Sequence, residues 1–171
     1  VLTDSGLLRQ QWNENRDVII FRYGAFGGKG VPGHGHCDCT SYELFFHGRP
    51  FICDSGNLHY RQDSLREYFR STKGHNVAMM EKVEQSEFSH TFRAGRTTKG
   101  ELLCCREEEE GAYFHMAYVP ATMKNQGLRV HRHVMVIPTR AIVIADSIDG
   151  YEGELFHSYV HLTPEAAKAE A

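Results

Sequence analysis

Six consecutive positions of the stretch "GHGHCDCTSYEL" hold His34, His36, Cys37, Asp38 and Cys39. Imidazole nitrogen, thiolate sulfur and carboxylate oxygen are the donors that zinc takes, so the first question is which of these side chains could share an ion. His34 and His36 are two apart, and in an extended segment both rings leave the same face. Gly33 and Gly35 allow the close backbone approach that a ligand-binding loop needs. Asp54 follows the apolar run "PFIC" and precedes Ser55-Gly56. An acid where a buried strand meets a turn is costly unless it caps, pairs or binds a cation. His75, in "RSTKGHNV", adds an imidazole, and His36, Asp54 and His75 together offer two nitrogens and one oxygen, a set zinc accepts with water as fourth ligand. The rival set draws on Cys37, Cys39 and the histidines. Zinc knuckles space their thiolates as Cys-x2-4-Cys with a second pair downstream, and neither feature is present, so small residues packed in strands is the simpler reading of both cysteines. With eleven histidines in the chain, spacing alone does not choose.

The elements that must position these residues read as strands. Segments 17–23, 41–48, 50–53, 112–119, 130–138, 141–146 and 155–162 are rich in β-branched and aromatic residues, and several alternate with period two. His47-Gly48 and Asp149-Gly150 are expected hairpin turns, and Thr139-Arg140 should join 130–138 to 141–146. That alternation puts Val130, Arg132 and Val134 on one face and His131 and His133 on the other; the two histidines are expected to be structural or exposed. One helix is expected near Ser64 to Phe69, with Ser64 as cap and Glu67 completing a capping box. The run Glu107 to Glu110 reads as a solvated loop, because adjacent like charges cannot be buried together. The Ala/Glu/Lys tail from Pro164 is helix-prone or frayed. Many short strands in succession predict an all-β, antiparallel β-sandwich.

With 171 residues the chain is expected to form one domain, burying roughly two-thirds of its unfolded surface. A net charge of -3 leaves no basic excess for gripping a phosphate backbone, so nucleic acid is not an expected partner. No apolar run approaches the roughly 20 residues of a membrane helix. An odd count of five cysteines rules out full disulfide pairing within one chain. The first residue is Val1, already in domain-like sequence, and the chain is read as a piece of a longer protein.

Three segments carry a family resemblance: "GHGHCDCTSYELFFHGRPFICDSG", "REYFRSTKGHNV" and "QSE". In order and spacing they resemble the heparinase II/III-like polysaccharide lyases, whose sandwich domain carries Gly-His-x-His-Ala-Asp, an Asp-Pro-Gly or Asp-Ser-Gly turn and Arg-Ser-Thr-x-x-His-Asn. The resemblance runs from Asp4-Ser5-Gly6 through "RVHRHVMVIPTRAIVIADSIDG" to "HLTP", nearly the whole chain. It implies a β-sandwich of the super-sandwich type over 1–171 and zinc on His36, Asp54 and His75. It also implies a His34 that faces substrate and helps neutralise its carboxylate, and a substrate-side tyrosine at Tyr60 in "NLHY". Cys37 and Cys39 stand where relatives carry Ala or another small residue. Asp38 resembles an acid that orients a histidine.

The activity so implied is β-elimination next to a uronic acid, with base and acid supplied mainly by an N-terminal α/α toroid that residues 1–171 lack. The implied partners are an acidic polysaccharide or oligosaccharide and that toroid, without nucleic acid or membrane, and with a homodimer left open. The implied compartment is bacterial periplasm or cytoplasm. Two other classes remain: a non-catalytic carbohydrate-binding or structural β-sandwich, and a cupin-like metal-binding domain, which would want a Glu soon after the histidine pair, where Glu43 is a poorer match, and a distant His.

Overall fold

The computed structural model describes residues 2–14, 16–28, 32–150 and 155–168. Strands β1 (Leu7–Trp12), β2 (Asp17–Arg22), β3 (Tyr42–Phe46) and β4 (Arg49–Ile52) form an antiparallel sheet in sequential order. Three short strands follow: β5 (Ala78–Met80), β6 (Phe88–His90) and β7 (Arg93–Ala94). Then β8 (Gly100–Glu108), β9 (Gly111–Tyr118), β10 (Arg129–Ile137) and β11 (Ala141–Asp149) build the second large antiparallel sheet, and β12 (Phe156–Ser158) pairs with β5. Two short helices complete the set, α1 (Ser64–Arg70) and α2 (Pro164–Ala167). Among the described residues no helix is long and apolar enough to cross a membrane.

The period-two pattern explains how the large sheets meet. Leu8, Ile19, Phe21, Tyr42 and Leu44 turn inward from the first, and Phe114, Met116, Val134 and Val136 from the second, forming one buried core. Phe21 and Phe114 touch across it with ring centroids 6.0 Å apart. Removing those rings from water drives the stacking. The architecture is the expected antiparallel sandwich.

The expected alternation of β10 holds: Val130, Arg132 and Val134 are buried on the inner face, and His131 and His133 pair outward beside β9. Its hairpin with β11 turns at Pro138 to Arg140, with Thr139 at φ 60. His47 and Gly48 take φ 51 and 75 between β3 and β4, two left-handed residues in the geometry that favours a tight hairpin.

Other expectations are corrected. The cap of α1 is Asp63, whose carboxylate accepts from the Arg66 backbone N–H, and Ser64 is its first residue; a carboxylate so placed also favours the helix dipole. Glu107 and Glu108 continue β8, leaving Glu109 and Glu110 for the turn, because a strand end with both faces wet tolerates the charges. Asp149-Gly150 closes no hairpin: β12 leaves the sheet of β11 to pair with β5, and it covers only three of the residues expected in 155–162. β8 itself is absent from the strands expected from sequence, and a bulge between Leu102 and Cys104 breaks its alternation. The tail forms one capped turn of helix, α2, behind Thr163, and residues 169–171 lie outside the described residues.

Candidate functional site

At one end of the sandwich, loops from three parts of the chain are tied together by buried polar side chains. The loop bearing His34 and His36 is clamped to α1: Arg70 Nε donates to the Gly35 carbonyl at 3.1 Å, and the Cys37 N–H donates to the Arg70 carbonyl at 2.9 Å. Gly35 lies against the Phe26 ring, where a Cβ would come within 2.5 Å, so only glycine lets the loop sit this low. Gln85 treats Cys39 as a strand partner, accepting from its N–H and donating to its carbonyl, both at 2.9 Å.

Asn76 fixes the next piece. Its side-chain amide donates to the carbonyls of Tyr42 and Cys53 at 2.8 and 3.0 Å, and its oxygen accepts from the His161 N–H at 2.6 Å. This holds His75 beside Asp54. Arg132 reaches from the inner face of β10 to the carbonyls of Thr40 and Asn76 at 2.8 and 2.5 Å, while Asp146 accepts two of its N–H bonds at 2.8 and 2.9 Å. The second sheet thereby anchors the loops at both ends.

His75 is buried, and its Nδ1 lies 2.6 Å from Asp54 Oδ2. Burial alone would raise the Asp54 pKa, but the hydrogen bond and charge of His75 and the Gly56 N–H outweigh it and hold the carboxyl below its usual range. An ionised carboxylate only accepts, so Nδ1 carries the proton. Nε2 of His75, on the far side of the ring, is buried without a hydrogen-bond partner. The His36 ring lies 5.3 Å from that of His75, centroid to centroid. Burial, with His75 and Arg66 alongside, pushes the His36 pKa down to about 4, so this ring is neutral at pH 7.

Above this group three rings meet at the surface. His34 packs edge-on against Tyr60 at 5.6 Å and against Phe92 at 5.3 Å, and Tyr60 stacks on Phe92 at 5.5 Å. Tyr60 and Phe92 are each about half exposed, at 52% and 51%. Beneath them lies Arg66, only 2% exposed, with its guanidinium 5.0 Å from the Tyr60 ring centroid. Arg66 Nη1 donates to Asn57 Oδ1 at 2.7 Å and lies 3.3 Å from His36 Nε2. Arg70 also spends its donors on carbonyls, those of Gly35, His90 and Thr91. Among the described residues neither guanidinium meets a carboxylate, so the floor of this face is positive.

The structure thus brings His34 to Tyr60, Asp54 to His75, and His36 between the two pairs. Among the described residues no three His, Cys, Asp or Glu side chains converge as a ready coordination cluster. The donor chemistry still fits zinc: one neutral imidazole, a second with an orphaned buried nitrogen, and an ionised carboxylate. Cys37 and Cys39 are buried, and burial pushes both thiols up to about 12, which keeps them protonated at pH 7 in the metal-free protein. Asp38 orients no histidine: its carboxylate pairs with Arg22, the nearest fixed cation on β2. Sequence reasoning missed Arg66, Arg70, Gln85, Asn76 and Phe92. Arg66 and Arg70 sit on one helix four residues apart, the spacing that puts both on one face, and that signal was available.

Comparison with known proteins bears on the fold. Among curated protein sequences none matches the chain. Its fold resembles the heparan sulfate lyase HepC from Pedobacter heparinus, with a TM-score of 0.69 at 19% identity over 93% of this chain and 23% of that one. A heparinase III gives 0.63 at 23% identity over 85% and 21%, and another heparinase III 0.66 at 18% over 89% and 22%. The chain therefore spans less than a quarter of the length of these solved relatives. The profile of the family described as heparinase II/III-like, C-terminal, matches residues 2–171, and the chain belongs to that family.

Proposed function

We propose that this domain is the β-sandwich part of a polysaccharide lyase that cleaves uronic-acid-containing glycans by β-elimination. The observation that carries the reading is the exposed face of His34, Tyr60 and Phe92 laid over the unpaired guanidinium of Arg66. The C5 proton of a uronate is weakly acidic while its carboxylate is charged, so a lyase must neutralise that carboxylate and stabilise the enolate that develops. His34 is placed to donate to it, and Arg66 and Arg70 bias the face toward anions. Tyr60 stands beside His34 with a free phenol side chain, a group able to pass a proton to or from the sugar, and Phe92 offers an apolar surface for a sugar ring.

His36, Asp54 and His75 would hold a zinc ion. Bound there, it would fix the loops carrying His34 and Tyr60, since elimination needs no metal-activated water. The base and acid are proposed to come mainly from an α/α toroid elsewhere in the parent protein, so the 171 residues alone should be inactive.

The test is to incubate the full-length parent with heparin, heparan sulfate, alginate and other uronate polymers and follow the ultraviolet absorbance of unsaturated uronic acid ends. Unsaturated product from one of them supports the reading. Saturable binding of the polymers with no such product would instead make this a non-catalytic carbohydrate-binding sandwich, and activity from the 171 residues alone would put base and acid within this chain.

A further inference from the structure

On the outer face of the second sheet, three histidines meet that no family motif includes. We propose that His115, His131 and His133 form a second metal site, for a late first-row dication such as zinc or nickel. The placement follows from strand register. His133 on β10 pairs directly with His115 on β9, and His131 is two residues along β10, so all three rings rise from one face. The residues paired beside them are small, Ala117 on β9 and Ala145 and Ser147 on β11.

Two of the rings already meet through their nitrogens. His115 Nε2 and His131 Nδ1 share a hydrogen bond at 2.9 Å, which a dication would replace. The His115 and His133 rings stack with centroids 4.0 Å apart. The far nitrogen of one ring has an orienting partner, the Tyr113 hydroxyl 2.8 Å from His133 Nδ1, and Asp149 Oδ2 lies 3.1 Å from His131 Nε2. An imidazole held by a hydroxyl or carboxylate on one nitrogen and free on the other is how metal-binding histidines are usually oriented. His131 Nε2 makes no hydrogen bond, although the residue is only 9% exposed. A cation on Nδ1 would acidify that ring and give Asp149 a stronger donor to turn toward.

Three imidazoles with water as fourth ligand is an accepted zinc set, and imidazole suits nickel and copper equally. Cys104 stands opposite His115 in the register of β8, a further soft donor on this face. As the side chains stand, the three rings do not converge on one point. His133 is half-buried, and binding would require its side chain to turn so that Nε2 joins the other two nitrogens.

The experiment is calorimetric titration of the chelator-stripped protein with zinc chloride and, separately, nickel chloride. One binding event should persist in His36→Ala and disappear in the His115→Ala/His133→Ala double variant. Tyr113→Phe should weaken that event about tenfold or more, the usual effect of losing an orienting partner. His133→Gln, at a half-exposed position that leaves the core intact, guards against misfolding and should also lose the event with its circular dichroism unchanged. Unaltered stoichiometry and affinity in the double variant and in His133→Gln would overturn the proposal.

Discussion

The molecule holds two groups of histidines that reach their positions by opposite means. His34, His36 and His75 come from loops, and their placement depends on buried polar bonds made by Arg70, Asn76, Gln85 and Arg132 across long stretches of chain. His115, His131 and His133 ride on adjacent strands, where the ladder that builds the sheet also sets their spacing. The loop group therefore needs a scaffold of buried side-chain hydrogen bonds, and the sheet group needs none beyond its strands. In return the loops can join side chains from distant parts of the chain, as Asp54 joins His75 and His34 joins Tyr60.

The contrast predicts unequal sensitivity. Arg132→Ala should be the most damaging change, because it strands buried Asp146 and frees the carbonyls of Thr40 and Asn76. Losing one partner of a buried pair costs about 3–5 kcal/mol, readable as a lower midpoint in urea. Next, His34→Ala in the full-length protein should cut turnover on the order of 100-fold, as expected when one group facing developing charge is removed, with stability unchanged. Thiol labelling at pH 8 should modify exposed Cys105 while Cys37 and Cys39 react only after unfolding; rapid labelling of either would mean the loop scaffold is open. Smallest of all, His133→Ala on the sheet face should shift stability by no more than about 0.5 kcal/mol. Equal losses from Arg132→Ala and His133→Ala would erase the distinction between the two regions.

What could be seen in the sequence divides along the same line. Alternation located β2, β3, β9, β10 and β11 and sorted the faces of β10, since a two-residue period maps directly onto a sheet. It failed at β8, where a bulge and a run of glutamates interrupt the pattern, and at β12, whose partner β5 lies far away in sequence. His36, Asp54 and His75 were singled out by donor chemistry and then by motif resemblance, which also pointed to the substrate-facing role of His34 and to Tyr60; the fold sets His34 beside Tyr60 and Asp54 beside His75. Arg66, Arg70 and Arg132 were passed over because charged residues are ordinarily read as surface, and nothing local announces that distant carbonyls will satisfy them. Phe92 was passed over because only folding carries it beside Gly33 and Tyr60.

The central claim is that two histidines a single residue apart do different work, His34 toward substrate and His36 toward metal. Zinc per chain, measured by elemental analysis on the wild-type, His34→Ala and His36→Ala proteins, tests this most directly. The account predicts that His34→Ala keeps the wild-type zinc content and that His36→Ala loses one equivalent. Loss of that equivalent in His34→Ala, or its full retention in His36→Ala, would contradict it.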